Sequence, residues 1–192
     1  MIISRRHKRT ALKTRVTRKI TDIPAADWNK VFPDILESYG FYKTLDESDM
    51  GQFSFYYIMV YEGKTPVGAT ACFMVDYSLD TTINGPLRRI TNSIKKIKPD
   101  IFSLKTFICG MPMGQGRIGF AKDSAAVFKA MVRRVEQIAK KNKAAIIAFK
   151  DFDKSYTGML DSLQRCGFSK FDSLPNTELN VRFKDFEEYL KT

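Results

Sequence analysis

The sequence predicts an α+β fold: one mixed, mainly antiparallel central sheet with one parallel βαβ unit and helices on both faces. Three observations predict it. In the first half, the apolar runs Phe53 to Glu62 and Pro66 to Tyr77 flank the turn-like Gly63-Lys64-Thr65, as in an antiparallel hairpin. In the second half, Leu104 to Cys109, a long amphipathic segment and Ala144 to Phe149 follow one another as strand, helix and strand, the order of a parallel crossover. Strands and helices do not alternate throughout, as a doubly wound fold would require.

Along the chain, Thr14 to Ile20 alternates β-branched and charged residues, like a half-exposed strand that Asp22-Ile23-Pro24 ends. Ala25 to Phe32 and Asp34 to Asp46, broken by Pro33 and Gly40, read as two or three short helices. After the hairpin, Pro86 suits a first helical position, and Leu87, Ile90, Ile94 and Ile97 share one helical face. The opposite side of that helix carries Arg88, Arg89, Lys95 and Lys96, either a solvated face or a binding surface. The crossover helix is marked by Phe128, Met131, Val132, Val135, Ile138 and Ala139 and ends near Asn142. Ser155 to Cys166 is a further helix stopped by Gly167. Phe168 to Leu174 and Thr177 to Phe183 read as closing strands, and Asp185 to Leu190 as a last helix.

With 192 residues, 44% hydrophobic and 28% charged, the chain can bury one full core. We expect residues 1–13 to be a basic tail and 14–192 a single domain. No run approaches the roughly 18 apolar residues of a membrane span, and the first residues lack a secretion signal's apolar region, so a cytoplasmic location is expected. Cys72, Cys109 and Cys166 are widely spaced among apolar neighbours and read as small core residues. His7, the single histidine, lies in the charged tail, which argues against histidine-based hydrolases and most histidine-built metal sites. Of the 32 Lys and Arg, eight lie in residues 1–20 together with no acid, leaving 24 bases against 21 acids in the rest. Such an arm can hold nucleic acid or an anionic surface, or simply be a solvated terminus. It has no aromatic residue for base stacking in Met1 to Lys13 besides His7.

The stretch richest in chemical meaning is Gly114-Gln115-Gly116-Arg117-Ile118-Gly119-Phe120-Ala121, between a strand and a helix. There, bare backbone amides and the helix dipole can receive a phosphate, and Arg117 can add a charge-assisted contact. The plain alternative is a tight connection without a ligand. A dinucleotide-binding fold places its glycine motif after the first strand with an acid about 20 residues on, whereas here Asp151 lies 32 residues beyond Gly119. No Gly-Lys-Ser/Thr ends the loop, which excludes a nucleotide P-loop.

In element order, and in Gly119-Phe120-Ala121 and Gly167-Phe168, residues 14–183 resemble the GNAT acyltransferase superfamily, in which a central strand leads through Q/R-x-x-G-x-G/A into a helix. Gly116 occupies that motif's first position, flanked by Gln115 and Arg117, and Leu163 stands where many members carry a tyrosine. Phe183 to Leu190 also resembles the Phe-x-x-Phe/Tyr-Leu segment of Fem-like, peptidoglycan-related proteins, which continue into a second GNAT-like half.

The resemblance implies transfer of an acyl group from acetyl-CoA or another acyl-CoA to a small-molecule or peptide amine. It implies that the amides of Phe107, Ile108 and Cys109 polarise the thioester carbonyl, in a splay between the central strands. Gly114, Gln115, Gly116, Arg117, Gly119 and Ala121 would then hold the diphosphate. Asp151 or Asp153 would take the amine proton, and Tyr156 would stand in as the acid for the departing thiolate. Ordinary roles are open for each: loop acids, a helix cap at Asp153 and a structural tyrosine. The other functions in view are a GNAT-shaped binding domain without catalysis, half of a two-domain transferase, and a nucleic-acid-associated protein using its basic arm. The transferase expectation requires open amides around Gly116. Amides bonded within the protein, or a mouth filled by side chains, would remove its basis.

Overall fold

The computed structural model describes residues 11–33, 37–48, 50–78, 103–121, 125–171 and 182–191. The tail at residues 1–10, the helix expected over 86–97 and most of the two closing strands lie outside the described residues.

Among the described residues, six strands form one sheet: β1 (Leu12–Thr17), β2 (Ser54–Glu62), β3 (Thr65–Ser78), β4 (Ser103–Cys109), β5 (Ile118–Phe120) and β6 (Ile146–Phe149). Their order is β1-β2-β3-β4-β6, with β5 also on β3. All pairs are antiparallel except β4 with β6, which run parallel. The expected mixed sheet is therefore observed. β1 begins at Leu12, which pairs with Glu62, so the sheet takes in Leu12 and Lys13 from the stretch expected to be tail.

The period of two along β2 explains how the sheet is covered. Phe55, Tyr57 and Met59 face one side and Tyr56, Ile58 and Val60 the other, all buried, so both faces need a layer over them. On the first face lie α1 (Ala25–Val31) and α2 (Tyr39–Glu47), through Trp28, Val31, Tyr42 and Leu45. α2 runs through Gly40, which the sequence suggested as a break. It sits in the helix's first turn, with only Ser38 Oγ within 4 Å of where a Cβ would stand. Asp46 locks this layer down, accepting the Tyr57 hydroxyl at 2.7 Å and the Ile20 amide at 2.6 Å.

The second face is covered by α3 (Ala125–Lys141), whose Val127, Phe128, Met131, Val132, Val135, Ile138 and Ala139 form the buried stripe expected of it. After β6, the single helix expected over 155–166 is instead a 3₁₀ turn at Lys154–Tyr156, a short α4 (Thr157–Leu160) and a second 3₁₀ segment, Asp161–Cys166. Gly167, at φ +88°, ends it. Phe168 to Phe171 do not form a strand. A final α5 (Phe186–Leu190) is capped by Asp185, whose side chain accepts the Glu188 amide at 2.9 Å. Cys72 and Cys109 are buried opposite one another across β3 and β4, but Cys166 is exposed, since the last turn before Gly167 presents it outward.

Candidate functional site

The expected glycine-rich connection contains a strand. β4 covers β3 from Cys72 to Ser78, and β5 covers the same edge from Gly68 to Thr70, so one strand is interrupted by an excursion over residues 110–117. Gly110 closes the first part by donating to Ala71 O at 3.1 Å, and Ala121 closes the second by donating to Val67 O at 3.2 Å. Ile118 and Phe120, two residues apart, face α3 and supplied a strand signal that the glycines obscured.

This geometry commits part of the expected diphosphate cradle to the protein itself. The Gly116 amide donates to Asp151 O at 2.9 Å, the Ile118 amide points to the Tyr156 hydroxyl at 3.4 Å, and Gly119 pairs with Ala69. Gly116 and Gly119 are required for close packing against protein. A Cβ on Gly116 would strike Lys150 O and the Phe152 ring, and one on Gly119 would strike Val31 O and the Phe32 ring. Among the described residues, the amides of Gly114, Gln115 and Arg117 have no acceptor, and Gly114, at φ +80°, forms the exposed tip with Met113 and Gln115.

Phe107, Ile108 and Cys109 likewise do not present amides to a ligand. β4 is in register with β3 on one edge and with β6 on the other at all three residues, so their backbone groups belong to the ladders. Lys150 continues this pairing by donating to Cys109 O at 3.0 Å. No splay opens between β4 and β6 over this length.

Of the expected proton carriers, Asp153 caps the 3₁₀ turn that follows it, accepting the Ser155 amide at 2.8 Å, and those hydrogen bonds hold its carboxyl below the usual carboxylate range. Because the folded value is depressed, this contribution is present above the unfolded carboxyl's pKa of about 3.9 and is lost as pH falls through the folded value. Asp153→Ala should therefore melt below the parent at neutral pH, with the two curves converging in acid. Thermal unfolding followed by circular dichroism across pH checks this, and a gap that widens in acid would contradict it. Asp151, at φ +57°, pairs with Lys150 Nζ, and both aspartates line a cleft of about 760 Å³ beside β6. Tyr156 donates its hydroxyl to Ile118 O at 3.1 Å and stacks edge-on to Phe152, so it stitches β5 to the turn after β6.

A residue that sequence reasoning missed stands beneath the tip. Glu37, between α1 and α2, is only 8% exposed, and its Oε2 lies 3.4 Å from Arg117 Nε. Neither atom makes a hydrogen bond. Its other oxygen faces Gly114, 3.7 Å from where a Cβ would stand. Tyr42 lies alongside. Burial pushes its phenol well above its usual range, the Glu37 carboxylate adds to this, and Arg117 opposes it. A buried acid in a stretch of helix formers and aromatics carries no local signal; only the juxtaposition with Arg117, 80 residues away, reveals it.

No protein-family model and no curated protein matches the chain. Solved structures do. The aminoglycoside N-acetyltransferase AAC(6')-Iy, in complex with CoA, matches with a TM-score of 0.53 at 10% identity over 89% of this chain and 96% of that one. The aminoglycoside acetyltransferase meta-AAC0020, from an uncultured soil metagenomic sample, matches with a TM-score of 0.55 at 9% identity over 89% and 97%. This is the GNAT fold. A transcriptional regulator from Bacillus halodurans C-125 also matches, with a TM-score of 0.55 at 12% identity over 87% and 100%. Within the GNAT fold, then, this chain differs from expectation in its filled glycine loop, and its candidate chemistry gathers at Glu37, Tyr42, Arg117 and the tip at Gly114.

Proposed function

We propose that this chain is an N-acyltransferase that moves an acyl group from acetyl-CoA or another acyl-CoA to an amine. The observation that carries the reading is Glu37: a buried carboxylate with an unbonded oxygen, set against the loop that leaves the central strand of a GNAT fold. The glycine motif no longer supports it, because the amides of Gly116, Ile118 and Ala121 are committed within the protein. The fold and Glu37 support it instead. The diphosphate would be left the amides of Gly114, Gln115 and Arg117 at the tip.

In this reading Glu37 replaces Asp151 and Asp153 as proton acceptor. An ammonium gives its first proton to the carboxylate, and the free amine attacks the thioester carbon. The carbon–sulfur bond breaks, and the nitrogen's second proton passes through water to the departing thiolate, so the amide and the free thiol form while Glu37 keeps the first proton. A carboxylate held within reach of the nucleophile contributes about 10²–10⁴-fold to such a step.

A second reading, a GNAT-fold binding domain without catalysis, is favoured by the committed amides and by the ordered pairing of β4 with β6. Calorimetric titration with CoA, acetyl-CoA and longer acyl-CoAs separates the two. The transferase reading expects binding and a rise in unfolding free energy of about 2.7 kcal/mol at a hundredfold excess over Kd. It also expects Glu37→Gln to keep CoA binding while turnover falls about 100-fold or more. Absence of binding by every CoA species would leave the second reading.

A further inference from the structure

An ion pair taken out of water is stabilising only if its members complete their hydrogen bonds, because desolvation of each charge otherwise exceeds the attraction between them. Glu37 and Arg117 do not complete theirs. At 3.4 Å, Oε2 and Nε are well outside the 2.7–2.9 Å typical of a charge-assisted bond, and both atoms are enclosed and unbonded. The Arg117 side chain, 29% exposed, connects this enclosed pair to the surface at the tip of Gly114 and Gln115.

The charges facing the pair limit what can complete it. Tyr42 is held neutral by burial, Tyr156 has its hydroxyl on β5, and Asp153, fully exposed on its own cap, acts on Arg117 only through space. Among the described residues the pair is therefore balanced, one charge against one. A lone ammonium docking on Glu37 would leave Arg117 uncompensated, and a lone phosphate or carboxylate on Arg117 would leave Glu37 so. A ligand carrying both charges keeps the balance and supplies both sets of hydrogen bonds.

We propose that Glu37 and Arg117 together form the docking site for a free α-amino acid, its ammonium on the Glu37 carboxylate and its carboxylate on the Arg117 guanidinium. The ligand's two charges, separated by a single carbon, match the close spacing of the two side chains. The proposal rests on the N-acyltransferase reading for its consequence, since it makes the α-amine of an amino acid the acyl acceptor, presented to the same carboxylate that takes its proton. Arg117 is then a specificity residue that selects acceptors bearing a carboxylate beside the amine.

The test is calorimetric titration of the full chain with L-alanine and L-lysine, against ethylamine and propionate as single-charge analogues. The expected result is saturable binding of the amino acids, at least tenfold tighter than of either analogue. Arg117→Gln and Glu37→Gln, each checked for folding by circular dichroism, should lose it, and Arg117→Lys should restore part of it. Ethylamine binding as tightly as alanine, or alanine affinity unchanged in Arg117→Gln, overturns the proposal. Binding of CoA without binding of any amino acid overturns it while leaving the transferase reading intact. Amino-acid binding without binding of any CoA species upholds the docking site and removes the transfer.

Discussion

Replacing Trp28 with alanine should destabilise the protein by about 3–5 kcal/mol, in the range for truncating a large aromatic in a closed core. The indole is fully buried, with ring contacts to Phe32 at 4.9 Å, Tyr42 at 5.1 Å and Tyr57 at 5.8 Å. It joins α1, α2 and β2, so its loss removes the wall against which Tyr42, the neighbour of Glu37 and Arg117, is set. Trp28→Phe should cost less than its lost volume suggests. The indole N–H is enclosed without an acceptor, and an unmet buried donor carries a penalty of about 1–3 kcal/mol that phenylalanine avoids. Denaturant unfolding of the two variants checks both statements, and a Trp28→Phe loss equal to that of Trp28→Ala would show that the indole's polar edge has a partner.

The second large effect is expected at Gly119. Alanine there should cost about 2–3 kcal/mol, toward the upper end for overpacking, because the new methyl meets the Val31 carbonyl as well as the Phe32 ring. A side chain can rotate away, but relief from a backbone oxygen needs α1 to move as a unit. Gly114→Ala makes the comparison. Its neighbourhood is open apart from Glu37 Oε1 at 3.7 Å, so its cost arises from φ +80° alone, about 1–2 kcal/mol. Unfolding curves that rank Gly114→Ala as the more damaging would mean that the backbone at Gly119 is free to yield.

Gly116 and Gly119 illustrate what could be read along the chain. Small residues at Gly116 and Gly119 signal that something approaches the backbone closely, and the sequence is correct on that. Whether the approaching group is a ligand's phosphate or the protein's own carbonyl is not encoded locally. Here it is Lys150 O, from the residue after β6, and Val31 O, from the end of α1. The hairpin, the crossover helix and the parallel pair were legible because periods of two and 3.6 are properties of neighbouring residues. β5 was not, since its three-residue alternation is obscured by the glycines around it, and its pairing with Gly68 to Thr70 is a long-range fact. Asp153 was legible as both acid and cap, and the bond from the Ser155 amide shows the cap.

By itself, then, the sequence determined the fold class, the two-sided burial of the sheet and the helices that cover it, because apolar periodicity dictates which faces must leave water. It also placed the loop after the central strand as the part of the chain built for close approach. Only the tertiary structure decided what fills that approach, and only it brought Glu37 to Arg117. A buried charge is defined by what surrounds it, and its surroundings are assembled from segments 80 residues apart.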